Sequence, residues 1–386
     1  MRWTDEGVTK VLRRVVRRAR RAVYGARCQA ADGYRRWRAI SLPRHVPALN
    51  PAGVACQWLS TEPPILLAAY WLNERYSTLY SLEPIFQRLR RRTAYFIYFW
   101  YWHIAEDERV RTVHRMEQTH RRRFPKHHFI HLCNSTQQLD AFRNEGLDAV
   151  FCHQNCLLDE MLYHPMPGAD RRFDAVYNGR LKRYKRHELA ALVDSLALVY
   201  AMQPTVDDPA EVAAIRRKMA HAHFFNHEDG GPYRALDDAE VGACLNQCRV
   251  GLCLSAVEGG MFASMEYLLC GLPVVSTASL GGRDVFFDDV NALIVDDTPE
   301  AVRAGVATLL VRDVTPDVVR QSVMPRVLEH RRTFQATVQA ICDQENVARC
   351  FVDEWPALFY NRLHRFQTHE QILRQLDHPA PGSYAA

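Results

Sequence analysis

The sequence predicts an α/β protein made of two doubly wound halves, and three observations carry that reading. Strand-length apolar runs alternate with amphipathic, helix-like stretches along most of the chain, the pattern of a parallel sheet with crossover helices. The 386 residues suffice for two hydrophobic cores rather than one. His164-Pro-Met-Pro-Gly-Ala-Asp170, with two prolines and a glycine in seven residues, reads as the link between them.

The elements follow in chain order. Residues 1–38 hold twelve Lys/Arg against three acids, a charge of +9 within a chain of +5, so the remainder is −4. Val8, Val11, Leu12, Val15, Val16, Ala19, Ala22 and Val23 fall on one helical face and arginines fill the other. Such a helix suits an anionic membrane surface, or packs on its own protein with a solvated basic face. Residues 39–165 form the expected first domain, with strands at 65–69, 94–101, 129–133 and 149–152. Residues 166–318 form the second, with strands at 173–177, 250–254, 273–276 and 292–295. Its helices lie at 262–270 and 301–310, and another carries Leu189, Leu192, Val193, Leu196 and Tyr200 as its buried face. Residues 319–386 read as a helical segment.

Composition narrows the class. The chain is 48% hydrophobic and 24% charged, as a packed globular protein is. Eleven cysteines, odd in number and without a Cys-x-x-Cys, point to buried thiols in a reducing cytoplasm rather than to disulfides or zinc. No apolar run reaches the roughly 20 residues of a membrane span, and no signal peptide opens the chain. The acidic body and the lack of any nucleic-acid-binding motif exclude a nucleic-acid partner as the main reading.

The chemistry concentrates in Ser255-Ala-Val-Glu258-Gly-Gly-Met-Phe-Ala-Ser-Met-Glu266-Tyr-Leu-Leu-Cys-Gly271-Leu-Pro273-Val-Val. A strand enters a Gly-Gly turn and a helix begins just after it, so backbone N–H groups are offered to an anion. Glu258 precedes the turn and Glu266 follows within the helix; two carboxylates so placed can accept hydrogen bonds from vicinal hydroxyls. Taken alone, they also fit a helix-start acid and a solvated one. A second segment, Tyr177-Asn-Gly179-Arg180-Leu-Lys-Arg-Tyr-Lys185, puts two cations after the first strand of the second half.

The first stretch resembles the Glu-x7-Glu signature of the retaining GT-B glycosyltransferases, with both glutamates, Gly259 and Gly271-Leu-Pro-Val-Val in place. Gly260, Met261 and Ala263 depart from the family's Phe-Gly and Pro. The second segment is similar to that family's Gly-Arg-Leu-x-x-x-Lys turn. The resemblance implies two Rossmann-like domains facing a central cleft, and a nucleoside-diphosphate-sugar as co-substrate with no cofactor and no metal. It assigns Arg180 and Lys185 to the diphosphate, and Glu266 to the ribose. Glu258 with the N–H groups of Gly260, Met261 and Phe262 falls to the sugar, and Gly259 and Ala263 are counted with the donor-binding residues. His103, just after the aromatic strand, is the expected first-domain histidine near that sugar, and the backbone near Phe224, Phe225 and Asn226 is expected to meet the base. Of the family's first-domain Gly-Gly loop only Gly53 is a candidate. The acceptor, a glycan or a lipid-linked molecule, is expected on the first domain beside Arg88, Arg90 to Arg92 and Arg121 to Arg123. A regulatory protein that binds the donor without turnover is the alternative. The expected location is cytoplasmic, at the inner face of the membrane.

Overall fold

The computed structural model describes residues 53–72, 77–203, 207–227 and 230–378, so the basic amino-terminal helix expected within 1–38 lies outside the described residues. The chain begins in β1 (Val54–Thr61), β2 (Pro64–Tyr70), β3 (Ala94–Trp100), β4 (His127–Cys133) and β5 (Ala149–Phe151). It continues through β6 (Phe173–Asn178), β7 (Leu196–Val199), β8 (His223–Phe224), β9 (Cys248–Cys253) and β10 (Val257–Glu258). The last strands are β11 (Val274–Thr277), β12 (Leu280–Gly281), β13 (Ala292–Val295) and β14 (Arg365–Gln367). One sheet has the order β14-β1-β2-β3-β4-β5, and the other β13-β11-β9-β6-β7-β8. The second is parallel throughout, as are β2 to β5 of the first; β1 runs antiparallel to both β2 and β14.

Both faces of the first sheet are covered, which is why β2 and β3 read as unbroken apolar runs. Ile65, Leu67, Tyr95, Ile97 and Phe99 face a core shared with the second half. Leu66, Ala68, Phe96, Tyr98 and Trp100 alternate with them and face the first half's own helices. The long helix Pro316–Gln344 bridges the halves. Its Arg320 donates to the carbonyls of Glu160, Tyr163 and Leu269 at 2.6–2.8 Å. Arg331 donates to those of Cys156 and Leu158 and pairs with Glu160 at 2.7 Å. Two guanidinium groups thus satisfy carbonyls of the stretch just before the linker, and one at the end of a second-half helix.

Four expectations need correction. Leu196 lies in β7, not on a helix, and only a 3-10 turn, His187–Ala190, stands where that helix was expected. The spacing of Leu189, Val193 and Leu196 mimics a helical face, but Leu196 opens the wholly buried strand Leu196–Val199 beside β6. The carboxyl-terminal segment is not only helical: β14 returns to pair with β1, and the helix His369–Asp377 follows it. Gly53 serves that pairing, since its φ is +86° and a β-carbon there would lie 2.2 Å from the Gln367 carbonyl oxygen. It is no phosphate loop. The arginines expected at the acceptor lie at the far edge, on the ends of helices Glu83–Leu89 and Asp107–Arg123 that lead into the amino ends of β3 and β4. Arg88 pairs there with Asp377, Arg92 with Glu62 and Arg123 with Glu83, at 2.5–2.6 Å. Among the described residues no helix is long and apolar enough to cross a membrane.

Candidate functional site

The carboxyl ends of the two sheets meet at the Gly-Gly turn. A β-carbon on Gly259 would lie 2.4 Å from the Tyr101 carbonyl oxygen at the end of β3. One on Gly260 would lie 2.7 Å from both His153 and Gln154. Only glycine lets this turn approach the first domain so closely. Gln154 donates to the Gly260 carbonyl, and Asn155 to that of Met261 at 2.9 Å. The helix Phe262–Leu269 then starts at Met261, whose side chain makes no cap, so its first N–H groups keep their anion-binding character.

Glu258 and Lys185 are brought into direct contact. Both are buried, and the Glu258 Oε1 that takes the Lys185 ammonium also accepts from Ser255 Oγ at 2.6 Å. Lys185 is aimed by a 3-10 turn, Arg183–Lys185, whose last carbonyl accepts from Tyr177 Oη at 2.5 Å. Burial lowers the pKa of Lys185, but the Glu258 carboxylate beside it outweighs that and holds the ammonium well above its ordinary value. Arg180 does not join this pair. It donates to Asp207 at 2.5 Å, and Asp207 also takes Lys182 at 3.2 Å.

Glu266 is almost fully buried, on the second turn of the helix. Its Oε2 accepts from Asn178 Nδ2 at 2.8 Å, at the carboxyl end of β6, and its Oε1 from Arg362 at 3.1 Å. Burial raises its pKa, with Arg362 and Asn178 opposing. Asn178 was not singled out in the sequence, although its place at a strand end beside Gly179-Arg180 is a signal that could have found it; Arg362 has no sequence signal at all.

His103 reaches the same place from the first domain. A β-carbon on Gly281 (φ +107°) would lie 1.7 Å from the Glu258 carbonyl oxygen and 3.0 Å from the His103 Cβ. Burial pulls the imidazole below its ordinary pKa, with Glu106 opposing and Arg109 adding to the effect. Phe262 packs near Tyr101, ring centroids 6.3 Å apart, and Ala263 is buried beneath the turn. Trp102 meets Tyr184 across the cleft at 5.2 Å. Asn226, in the stretch whose backbone is expected to meet the base, uses its side chain structurally. Its Oδ1 accepts from the Tyr200 N–H at 2.8 Å and its Nδ2 donates to the Arg234 carbonyl at 2.9 Å, so the side chain braces two loops. Cys152 and Cys156 face each other at 4.0 Å, while His153 turns to the Gly282 carbonyl at 2.9 Å.

Two α/β halves whose strand ends meet over a glycine turn and a helix start define the GT-B architecture. Comparison agrees. The family model described as glycosyl transferases group 1 matches residues 233–320, the stretch that contains both glutamates. The fold is similar to that of sucrose-phosphate synthase from Thermosynechococcus elongatus, with a TM-score of 0.50 and 15% identity over 72% of this chain and 74% of that one. It is also similar to Anabaena HepE in complex with UDP-glucose, with a TM-score of 0.51 and 14% identity over 67% of this chain and 82% of that one. At these identities the likeness is one of fold. Among curated proteins the sequence finds no match.

Proposed function

We propose that the protein is a retaining glycosyltransferase that moves a sugar from a nucleoside diphosphate to a hydroxyl of a glycan or lipid-linked acceptor, with neither metal nor cofactor. The observation that carries this reading is the buried Lys185–Glu258 pair at an uncapped helix start, with Glu266 on the same helix and His103 opposite.

In this reading the donor diphosphate takes the ammonium of Lys185 and the N–H groups of the helix start. The negative charge that grows on the leaving diphosphate is met by groups already fixed in place. Glu258, released from Lys185, accepts hydrogen bonds from the sugar hydroxyls. Glu266 and Asn178 take the ribose. Arg180 contributes less, since Asp207 already balances it. The bond from the anomeric carbon to the phosphate oxygen breaks as the bond to the acceptor oxygen forms on the same face. The acceptor proton passes to the leaving phosphate oxygen, so no separate base is needed. Trp102 and Tyr184, meeting across the cleft, exclude water from the reacting centre.

The test is release of nucleoside diphosphate from a panel of UDP-, GDP- and ADP-sugars, with UDP-glucose first because HepE binds it. Wild-type protein should turn over one donor class, and Glu258→Gln should lower kcat by about 10²–10³-fold, the scale of one lost transition-state contact. Binding of a donor with no turnover in wild type would favour the regulatory alternative, and no binding of any donor would refute both.

A further inference from the structure

After the helix Phe351–Leu358, residues 359–364 run along the junction of the two halves before entering β14. Asn361 accepts from the Asp159 N–H at 3.1 Å and donates to Asp238 at 2.6 Å. Arg362 donates to Glu266 at 3.1 Å, lies 3.2 Å from Asp238 Oδ1, and sits over the Phe262 ring at 5.2 Å from its centroid. Leu363 is wholly buried, and His364 Nε2 is 3.0 Å from Tyr101 Oη at the end of β3. Arg362 and Leu363 have φ of +66° and +51°. Two successive side-chain-bearing residues in the left-handed region persist only where the surroundings over-determine them, and such places concentrate at functional sites.

From this juxtaposition we infer that Arg362 is a positioning residue for the donor: it aims the Glu266 carboxylate at the ribose diol, from a carboxyl-terminal strap outside the stretch that matches the glycosyltransferase family. The inference rests on the donor-site reading above. A buried carboxylate with no cation beside it takes up a proton and ceases to accept two hydrogen bonds from a diol. One guanidinium nitrogen, Nη2, serves both Glu266 at 3.1 Å and Asp238 at 3.2 Å, and the planar group lies over the Phe262 ring, a stacked placement that an ammonium reproduces only in part. Phe262 beneath the guanidinium and Asp238 beside it fix the direction from which Glu266 is held.

Calorimetric titration with UDP, GDP and ADP, followed by the 2′,3′-dideoxy form of the tightest binder, separates positioning from mere support. Wild type is expected to bind the ribose form at least tenfold more tightly than the dideoxy form. R362Q is expected to lose most of that preference while binding the dideoxy form within about twofold of wild type, and R362K to recover part of it. Equal weakening of both forms, or an unchanged preference, overturns the inference. If R362Q fails to fold, R362K decides: a reduced preference supports the inference and a wild-type preference overturns it. Wild type binding none of the diphosphates overturns the donor-site reading itself, a distinguishable failure.

Discussion

Lys185 and Glu258 are opposite charges buried against each other, so each makes the other tolerable. Removing one leaves the other in the interior without a counter-charge, a loss of about 3–5 kcal/mol. Lys185→Met or Glu258→Met should each cost that much in urea unfolding, and the double variant should cost distinctly less than the sum. The pairing should not depend on pH near neutrality. A lysine whose folded pKa is raised contributes its stability in full below its unfolded value near 10.4, and loses it only as pH rises through the folded value. These two residues, 73 positions apart, were legible because each sits in a short local motif, Gly179-Arg180-Leu-x-x-x-Lys185 and Glu258-Gly-Gly, that resembles a known family's; their direct contact was not. Arg362 was not, because it lies 96 positions from Glu266 and nothing in the composition of its segment marks a return to the cleft. Arg180 was legible as a cation, but its partner Asp207 is a tertiary fact.

At the scale of elements, the glycines set how closely the halves approach. Gly281 and Gly168 both have positive φ, but a β-carbon on Gly281 would strike the Glu258 carbonyl, whereas one on Gly168 would meet nothing within 4 Å. Gly168→Ala should therefore cost only the left-handed backbone term, about 1–2 kcal/mol. Gly281→Ala should cost about 3 kcal/mol or more, because the backbone must also move. Thermal unfolding of the two variants checks the order, and equal losses would remove the argument from close approach. The parallel strands that face two cores were readable as apolar runs. β7 was not, since four residues are too few to outweigh a chance helical spacing, and β1 was missed because its run is broken by Gln57 and Ser60.

Across the whole molecule, the carboxyl-terminal chain ties the halves together: Tyr95 Oη donates to Glu345 at 2.6 Å, Arg349 donates to the Leu59 carbonyl at 3.0 Å, and β14 pairs with β1. Such a return cannot be read from periodicity, which describes each element but not where it docks. Buried histidines are spread through both halves. Burial first, then neighbouring charge, lowers His120, His153 and His187 to about 3, and burial, opposed by the Leu89 carbonyl, lowers His127 to about 4. Between those values and the unfolded pKa near 6.5 the unfolded chain binds more protons, so stability is full above that range and falls as pH drops through it. The slope is at most about 1.4 kcal/mol per histidine per pH unit, so unfolding at pH 5 should need markedly less urea than at pH 7. An unchanged midpoint would mean these rings are charged in the folded protein.

Lys185, held beside the Gly-Gly turn by Glu258, is the proposed ligand of the donor diphosphate. The most direct test is the dissociation constant for the nucleoside diphosphate of the active donor, measured on wild type, Lys185→Ala and Arg180→Ala. Wild type should bind, Lys185→Ala should weaken binding by at least tenfold while remaining folded, and Arg180→Ala should weaken it less. Equal affinity in wild type and Lys185→Ala would contradict the account.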